Sequence, residues 1–409
     1  MVVDAAATVE AVARASYVRL ISFLSARSGD VAGAEDALAD AVVAALRTWP
    51  ADGIPSKPEA WLLHAARRRL IDGRRRERTR VGSVHELSSL LAEAEDLSKS
   101  LAFPDKRLEL LFVCAHPAID ARVHTPLMLQ VVLGLDAAAI AAAFLTPAST
   151  MGQRLSRAKA KIRDTRIAFE VPTGAELEGR LSAVLEAIYA AFGHAWEGAD
   201  GMDGERLGLA EEALFLARLL VEQLPEQPEA LGLLALLEYC EARRPARRSA
   251  GGEYVPMSEQ DTRLWSGTRL EEAERRLAAA ARLGRPGRFQ LEAAVQSAHV
   301  ERCRGRAGWA AIAVLYEGLV RVAPTFGALV GRAAAVAEAR GPEAGLALLE
   351  DIPTSAVESY QPYWATRAHL EQRLGRERDA QASFDTALRL TRDPAVRRFL
   401  ERACDGGAR

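Results

Sequence analysis

The amino-acid sequence predicts an all-α protein, and two observations carry that expectation. Ala, Leu, Arg and Glu, all strong helix formers, crowd the chain, whereas aromatic residues make up only 6%. Apolar residues also recur at helical spacing, as in Leu207, Ala210, Leu214, Ala217, Leu220 and Leu224, with no sustained alternation of apolar and polar positions. At 409 residues the chain exceeds what one hydrophobic core usually organises, so more than one domain is expected.

The same composition narrows the classes of function. The formal net charge of −2 gives no overall mark of a nucleic-acid binder. Cys114, Cys240, Cys303 and Cys404 stand far apart without a C-x-x-C pair, which argues against a disulfide scaffold or a thiolate zinc site and suits a reducing cytoplasm. No apolar run reaches the roughly 18 residues of a spanning helix, and the start lacks a basic stretch followed by an apolar one. Export and membrane insertion are therefore not expected.

Taken in order, the first helix signal is Gly29-Asp30 followed by Ala34-Glu35-Asp36-Ala37-Leu38, with acidic residues in its first turns, running toward Trp49-Pro50. Next comes a basic helix. Between Trp61 and Arg80, eight arginines face Asp72 and Glu77, a net +6, while Leu62, Ala66 and Leu70 form an apolar stripe. The segment from Val81 to Phe103, with its serines and a net −3 through Ser100, reads as a linker.

A second basic concentration follows, +5 between Met151 and Arg166. Ahead of it, Leu135 to Phe144 reads as a short helix with Leu135, Ile140 and Phe144 inward, and Thr146 is expected to cap the next helix with Pro147 at its first position. That helix keeps Met151, Leu155, Ala158 and Ile162 on one face and turns Ser149, Gln153, Arg154 and Arg157 outward. A short helix, a tight turn and an amphipathic basic helix form the helix-turn-helix arrangement, in which the second helix reads base edges; Gln suits adenine and Arg suits guanine. Residues 1 to 170 sum to +3 and the remainder to −5, so two basic helices stand out in the first part as a footprint for backbone phosphates.

The turn Glu170-Val171-Pro172-Thr173-Gly174 marks an expected domain boundary, and Arg247 to Gly267 is a long irregular stretch within an otherwise helical remainder. From Pro362 to Pro394, Trp364, Ala368, Gly375, Ala380, Phe384 and Ala387 fall at tetratricopeptide-like spacing. A weaker copy lies at Ala334, Gly341, Gly345 and Leu349, and Trp309 to Pro324 adds a helix with Tyr316 inward.

These motifs resemble a known family. The acidic A-E-D helix and the run Trp61-Leu62-x-x-Ala65 through Ile71-Asp72 to Arg75 resemble region two of an extracytoplasmic-function (ECF) sigma factor. Ile140, Ala141, Phe144, Pro147, Thr150, Arg154, Leu155, Arg157 and Ala158 resemble its region four. The whole chain is similar to the subgroup with a long C-terminal, tetratricopeptide-like extension, with Phe112, Cys114, His116-Pro117 and Phe169 to Pro172 as further matches. The resemblance implies region two over residues 1–80, a linker over 81–104, region four over 105–170 and a helical extension over 171–409.

It also implies roles. Glu35, Asp36 and Asp40 would pack on the β′ clamp helices of RNA polymerase core, and region four on the β flap. The minus-ten element would meet Trp61, Arg67, Arg68, Arg74 and Arg75, and the minus-thirty-five element Ser149, Thr150, Gln153, Arg154, Arg157 and Lys161. Gln260, Asp261, Arg263 and Trp265 stand where the subgroup carries a D-Q-D-R loop, and Gly193 to Trp196 replaces its N-E-G-Y stretch. The expected protein is a cytoplasmic alternative sigma factor and not an enzyme, without metal or cofactor, partnered by polymerase core and promoter DNA, its extension docking on the sigma domains. Cys114 and His116 are expected to serve the core and a cap. The competing reading is a helix-turn-helix regulator with a repeat-type sensor domain that never engages polymerase.

Overall fold

A computed structural model describes residues 5–78, 104–144, 146–196 and 204–406, with side chains omitted at 73–78 and 204–207. Among them are nineteen α-helices and no strand beyond an isolated bridge between Arg248 and Tyr254. The chain divides into two compact units, Met1–Ala191 and Phe192–Arg409. That division falls later than the turn at Pro172, because Leu177, Leu181, Val184, Leu185 and Ile188 of the following helix are all buried.

The first unit opens with α1 (Ala5–Ser28), α2 (Val31–Asp52) and α3 (Pro58–Arg78). Asp30 caps α2, its Oδ1 accepting the Gly33 N–H at 3.0 Å. Ala34, Ala37, Ala41 and Ala45 then repeat along its buried face, small enough for close helix approach, with Leu20, Ile21 and Leu24 of α1 and Leu62 and Ala66 of α3 in the same core. The helix runs through Pro50 and stops at Asp52, where Gly53 (φ 88°) gives its N–H to the Trp49 carbonyl. The connection to α3 is therefore only Gly53–Lys57. Near a helix end Pro50 forfeits a single backbone bond, which buried Trp49 outweighs.

Helix α4 (Arg107–Cys114) is apolar on every side from Leu110 to Cys114, and each of those residues is fully buried. It is therefore a central helix. Burial pushes the Cys114 thiol well up, so it is inert packing. His116 Nδ1 accepts the Ala118 N–H at 3.1 Å and organises the turn into α5 (Ala121–Val131), while among the described residues no cluster of ligands could hold a metal. Helix α6 (Ala137–Ala143), α7 (Ala148–Thr165) and α8 (Gly174–Trp196) follow.

In the second unit come α9 (Gly204–Gln223), α10 (Pro228–Arg243), α11 (Gly267–Arg282), α12 (Arg288–Cys303), α13 (Trp309–Val322), α14 (Phe326–Arg340), α15 (Pro342–Glu350), the short α16 (Thr354–Val357), α17 (Gln361–Arg373), α18 (Glu377–Leu390) and α19 (Pro394–Gly406). Most successive helices pack side by side, and α10 packs on α12 as well as on α11. Helix α10 is the central one, with Leu233, Leu234, Leu237 and Tyr239 at 0–1% exposure. Its Gly232 lies against the backbone at Gln290, where a Cβ has no room. One turn earlier, Glu229 accepts the Phe289 and Gln290 N–H groups at 2.9 and 3.1 Å, so α10 caps the N-terminus of α12. Desolvation raises the Glu229 carboxyl against the lowering effect of those two bonds. Farther along, Gly345 admits the α14 backbone at Ala333, Tyr316 lies over Gly331, and Ala368, Phe384, Ala387 and Leu400 form one cluster.

Candidate nucleic-acid and polymerase interface

The first unit assembles the residues singled out by the sequence on α2, α3 and α7. Helices α6 and α7 form the expected short-helix, turn, long-helix pair. Asp136 caps α6 through its Oδ1, which accepts from Ala138 and Ala139 N–H at 2.8 Å. The turn differs in detail, since Thr146 Oγ1 donates back to the Phe144 carbonyl at 3.1 Å and does not cap α7, and Pro147 takes the cap position ahead of Ala148. Phe144 is 39% exposed, not inward, because α6 ends at Ala143 before its side chain can return to the core. Met151, Leu155, Ala158 and Ile162 of α7 are buried as the spacing predicts. The opposite face presents Ser149, Gln153, Arg154, Arg157 and Lys161 to solvent with Thr150 half-buried, and Arg157 Nη2 reaches Gln153 Oε1 at 3.5 Å. That face is one continuous polar and basic strip.

On α3, Arg68 and Arg69 are exposed, whereas Arg67 is only 9% exposed beside a small cavity lined by Phe23, Leu24, Leu70 and Ile71. Trp61 is half-buried and packs edge-on against buried Trp49, with centroids 5.5 Å apart. The side chains of Arg74 and Arg75 lie outside the described residues.

The three acidic residues of α2 are in different states. Asp36 is exposed, and Asp40 makes a long, exposed pair with Arg69 at 3.8 Å. Glu35 is already engaged, because both its carboxylate oxygens accept from Lys159 Nζ of α7 at 2.7 Å, with the Lys159 side chain 12% exposed and that of Glu35 24%. Residues 124 apart in sequence thereby join the acidic helix to the basic one. Sequence reasoning missed Lys159 as the partner, and no local signal could have shown it. Beside these carboxylates, Tyr17 of α1 has its hydroxyl pKa raised, first by burial and then by Glu35 and Asp36. An open groove of about 670 Å³ runs between α1 and α2 past Val9, Tyr17, Val42 and Leu46.

In the second unit, the stretch from Arg247 to Gly267 is well anchored. Tyr254 packs edge-on against Phe399 at 5.4 Å, Arg248 pairs with Asp393, and Trp265 is 6% exposed with the following Ser266 N–H bonded to the Ala242 carbonyl. Asp261 and Arg263 form an exposed local pair at 2.8 Å, and Gln260 Nε2 donates to the Val255 carbonyl at 3.2 Å. These anchoring contacts all join residues of the second unit.

The sigma-70 region 2 family matches residues 12–80, which holds most of α1 and all of α2 and α3, and a family of unknown function, DUF6596, matches residues 180–281. Uncharacterized protein R00370 of Rhizobium meliloti (strain 1021) is 36% identical over 380 residues, covering 91% of this chain and 89% of its own length. No solved structure matches the chain. Region 2 on residues 12–80 supports a sigma-70 family member, and over nearly its whole length the chain belongs to one family with the Rhizobium meliloti protein.

Proposed function

We propose that the protein is an alternative sigma factor of the extracytoplasmic-function type, which binds RNA polymerase core, recognises both promoter elements, and carries a helical regulatory extension of tetratricopeptide-like hairpins. The observation that carries this reading is the joint presence of sigma-70 region 2 on α1 to α3 and a separate solvent-facing basic strip on α7. Sigma-70 region 2 itself implies interaction with polymerase core and promoter DNA.

In this reading α7 enters the major groove and Gln153, Arg154 and Arg157 meet base edges, while Ser149, Thr150 and Lys161 sit where backbone phosphates pass. Arg68 and the arginines beyond Asp72 follow the minus-ten strand electrostatically. Asp36 and Asp40 are the carboxylates open to a polymerase surface. Glu35 joins them only when Lys159 lets go, so core binding through Glu35 exchanges an internal ion pair for an external one. The protein performs no chemistry of its own; the reaction is the polymerase's.

Run-off transcription with purified core and the full chain, from a promoter selected by its binding, tests the proposal. Specific transcripts that vanish when the chain is omitted are expected. Promoter binding without any gain in transcription would instead identify a helix-turn-helix regulator that does not engage polymerase.

A further inference from the structure

Where α10 ends, cationic groups gather without a counter-charge. Arg243 is 8% exposed, and its guanidinium donates to the Tyr239 carbonyl (3.3 Å), the Met257 thioether sulfur (3.1 Å) and Gln296 Oε1 (2.6 Å). All three acceptors are neutral, and a thioether is a weak one. From the facing helix α12, Gln296, His299, Arg302 and Cys303 project on successive turns. Arg302 lies over the Trp309 ring at 4.4 Å and reaches Cys303 Sγ at 3.6 Å, while its Nε is buried without a partner. His299 stands edge-on to the same ring at 5.5 Å, and its Nδ1 is also buried without a partner.

The nearby carboxylates are committed elsewhere. Glu301 is held by Arg304 and Arg306, Glu241 by Arg244, and Glu274 accepts from Ser297 Oγ. Among the described residues neither Arg243 nor Arg302 has an acidic partner, although buried guanidinium charge is costly unless it is paired. Burial first, and then the Arg302 and Arg243 cations, lower the His299 pKa. Met257, from the irregular stretch between Arg247 and Gly267, touches both helices: its sulfur takes Arg243 and its carbonyl faces Cys303 Sγ at 3.7 Å.

We propose that Arg243, His299 and Arg302 form a binding site for a small oxyanion, a phosphate or carboxylate group, which enters in place of the Met257 side chain. Two guanidinium groups offer the forked donors that suit such oxygens, the imidazole adds a further nitrogen, and Gln296 can turn its amide to donate. The anion supplies the missing counter-charge. Because Met257 must yield, occupancy would move the segment that also holds Gln260, Asp261, Arg263 and Trp265, which gives the extension a chemical input.

Titration calorimetry on the full chain, with inorganic phosphate and separately with citrate at an ionic strength fixed by chloride, tests the site. Saturable binding of one or both anions is expected. It should weaken about tenfold or more in Arg302→Gln and in His299→Phe, since a lost charge-assisted hydrogen bond costs at least a decade of affinity. Arg378→Ala, which removes an exposed cation from α18, should leave it unchanged. Circular dichroism of each variant keeps loss of binding distinct from loss of fold, and Arg302→Lys serves if the glutamine variant does not fold. No binding above the chloride background, or equal binding by the folded Arg302 and His299 variants, overturns the proposal.

Discussion

At the scale of single residues, the contact between Lys159 and Glu35 is open to direct measurement. Both side chains are largely shielded, so the pair is worth more than an exposed one but also carries a desolvation cost. Lys159→Glu should lower stability by roughly 1–3 kcal/mol through two facing carboxylates, and Glu35→Lys similarly through two facing ammonium groups. The double exchange should regain most of the loss in a urea denaturation cycle. Additive losses would mean that the two side chains do not interact. Arg154 belongs to the same helix but to its exposed face. Arg154→Ala should leave stability within about 0.5 kcal/mol and weaken preference at one promoter base pair by roughly 1–3 kcal/mol. A promoter-variant panel with unchanged base preference would remove Arg154 from readout.

His299 adds a dependence on acidity. Desolvation first, then Arg302 and Arg243, lower its pKa from the ordinary 6.5 to about 4, so the folded chain keeps the ring neutral where the unfolded chain protonates it. The stability at stake is intact above pH 6.5 and is lost as pH falls from 6.5 toward 4, up to about 3 kcal/mol. His299→Phe should flatten that part of the stability profile, as followed by denaturant midpoints at successive pH values. An unchanged slope would mean that His299 is already solvated.

At the scale of elements, two features of α10 explain why the second unit holds together. Glu238, wholly buried, accepts from Arg218 of α9 at 2.6 Å and from Arg269 of α11 at 2.8 Å, which fastens three helices with one carboxylate. Its partners Arg218 and Arg269 are 42% and 39% exposed and turn to water once it is gone, so Glu238→Ala should cost roughly 1–3 kcal/mol in lost hydrogen bonds and packing, read from denaturant midpoints. Gly232 acts by shape, since its missing Cβ lets the α12 backbone approach at Gln290. Gly232→Ala should force the pair apart and lower the melting temperature even though alanine favours the helix itself. A melting temperature at or above that of the parent chain would show that the gap can relax without cost.

At the scale of the whole molecule, the proposed sigma factor carries opposite charge balances in its two parts, +3 over residues 1–170 and −5 over the rest. The extension is expected to influence transcription through the segment that holds Trp265. Deleting residues 171–409 and replacing Trp265 by Ala should each change run-off transcription in the same direction. Normal transcription by both, with each protein folded, would leave the extension without a regulatory part.

The sequence alone determined that the chain is helical, because propensity and a 3.6-residue period act locally and every helix inherits them from its own residues. It likewise determined which face of α7 is apolar and which basic, since that depends only on spacing within one helix. The resemblance of α2 and α3 to region two was legible for the same reason, whereas α1 was not read from the sequence. Tertiary structure decided what spacing cannot encode. Only folding places Lys159 on Glu35, brings Arg243 to an α12 that begins 45 residues later, buries Arg67 while leaving Arg68 exposed, and carries α2 through Pro50 because Trp49 is held in the core. Each depends on which distant surface a side chain meets, and burial and pairing energies of several kcal/mol then outweigh local preferences of a few tenths.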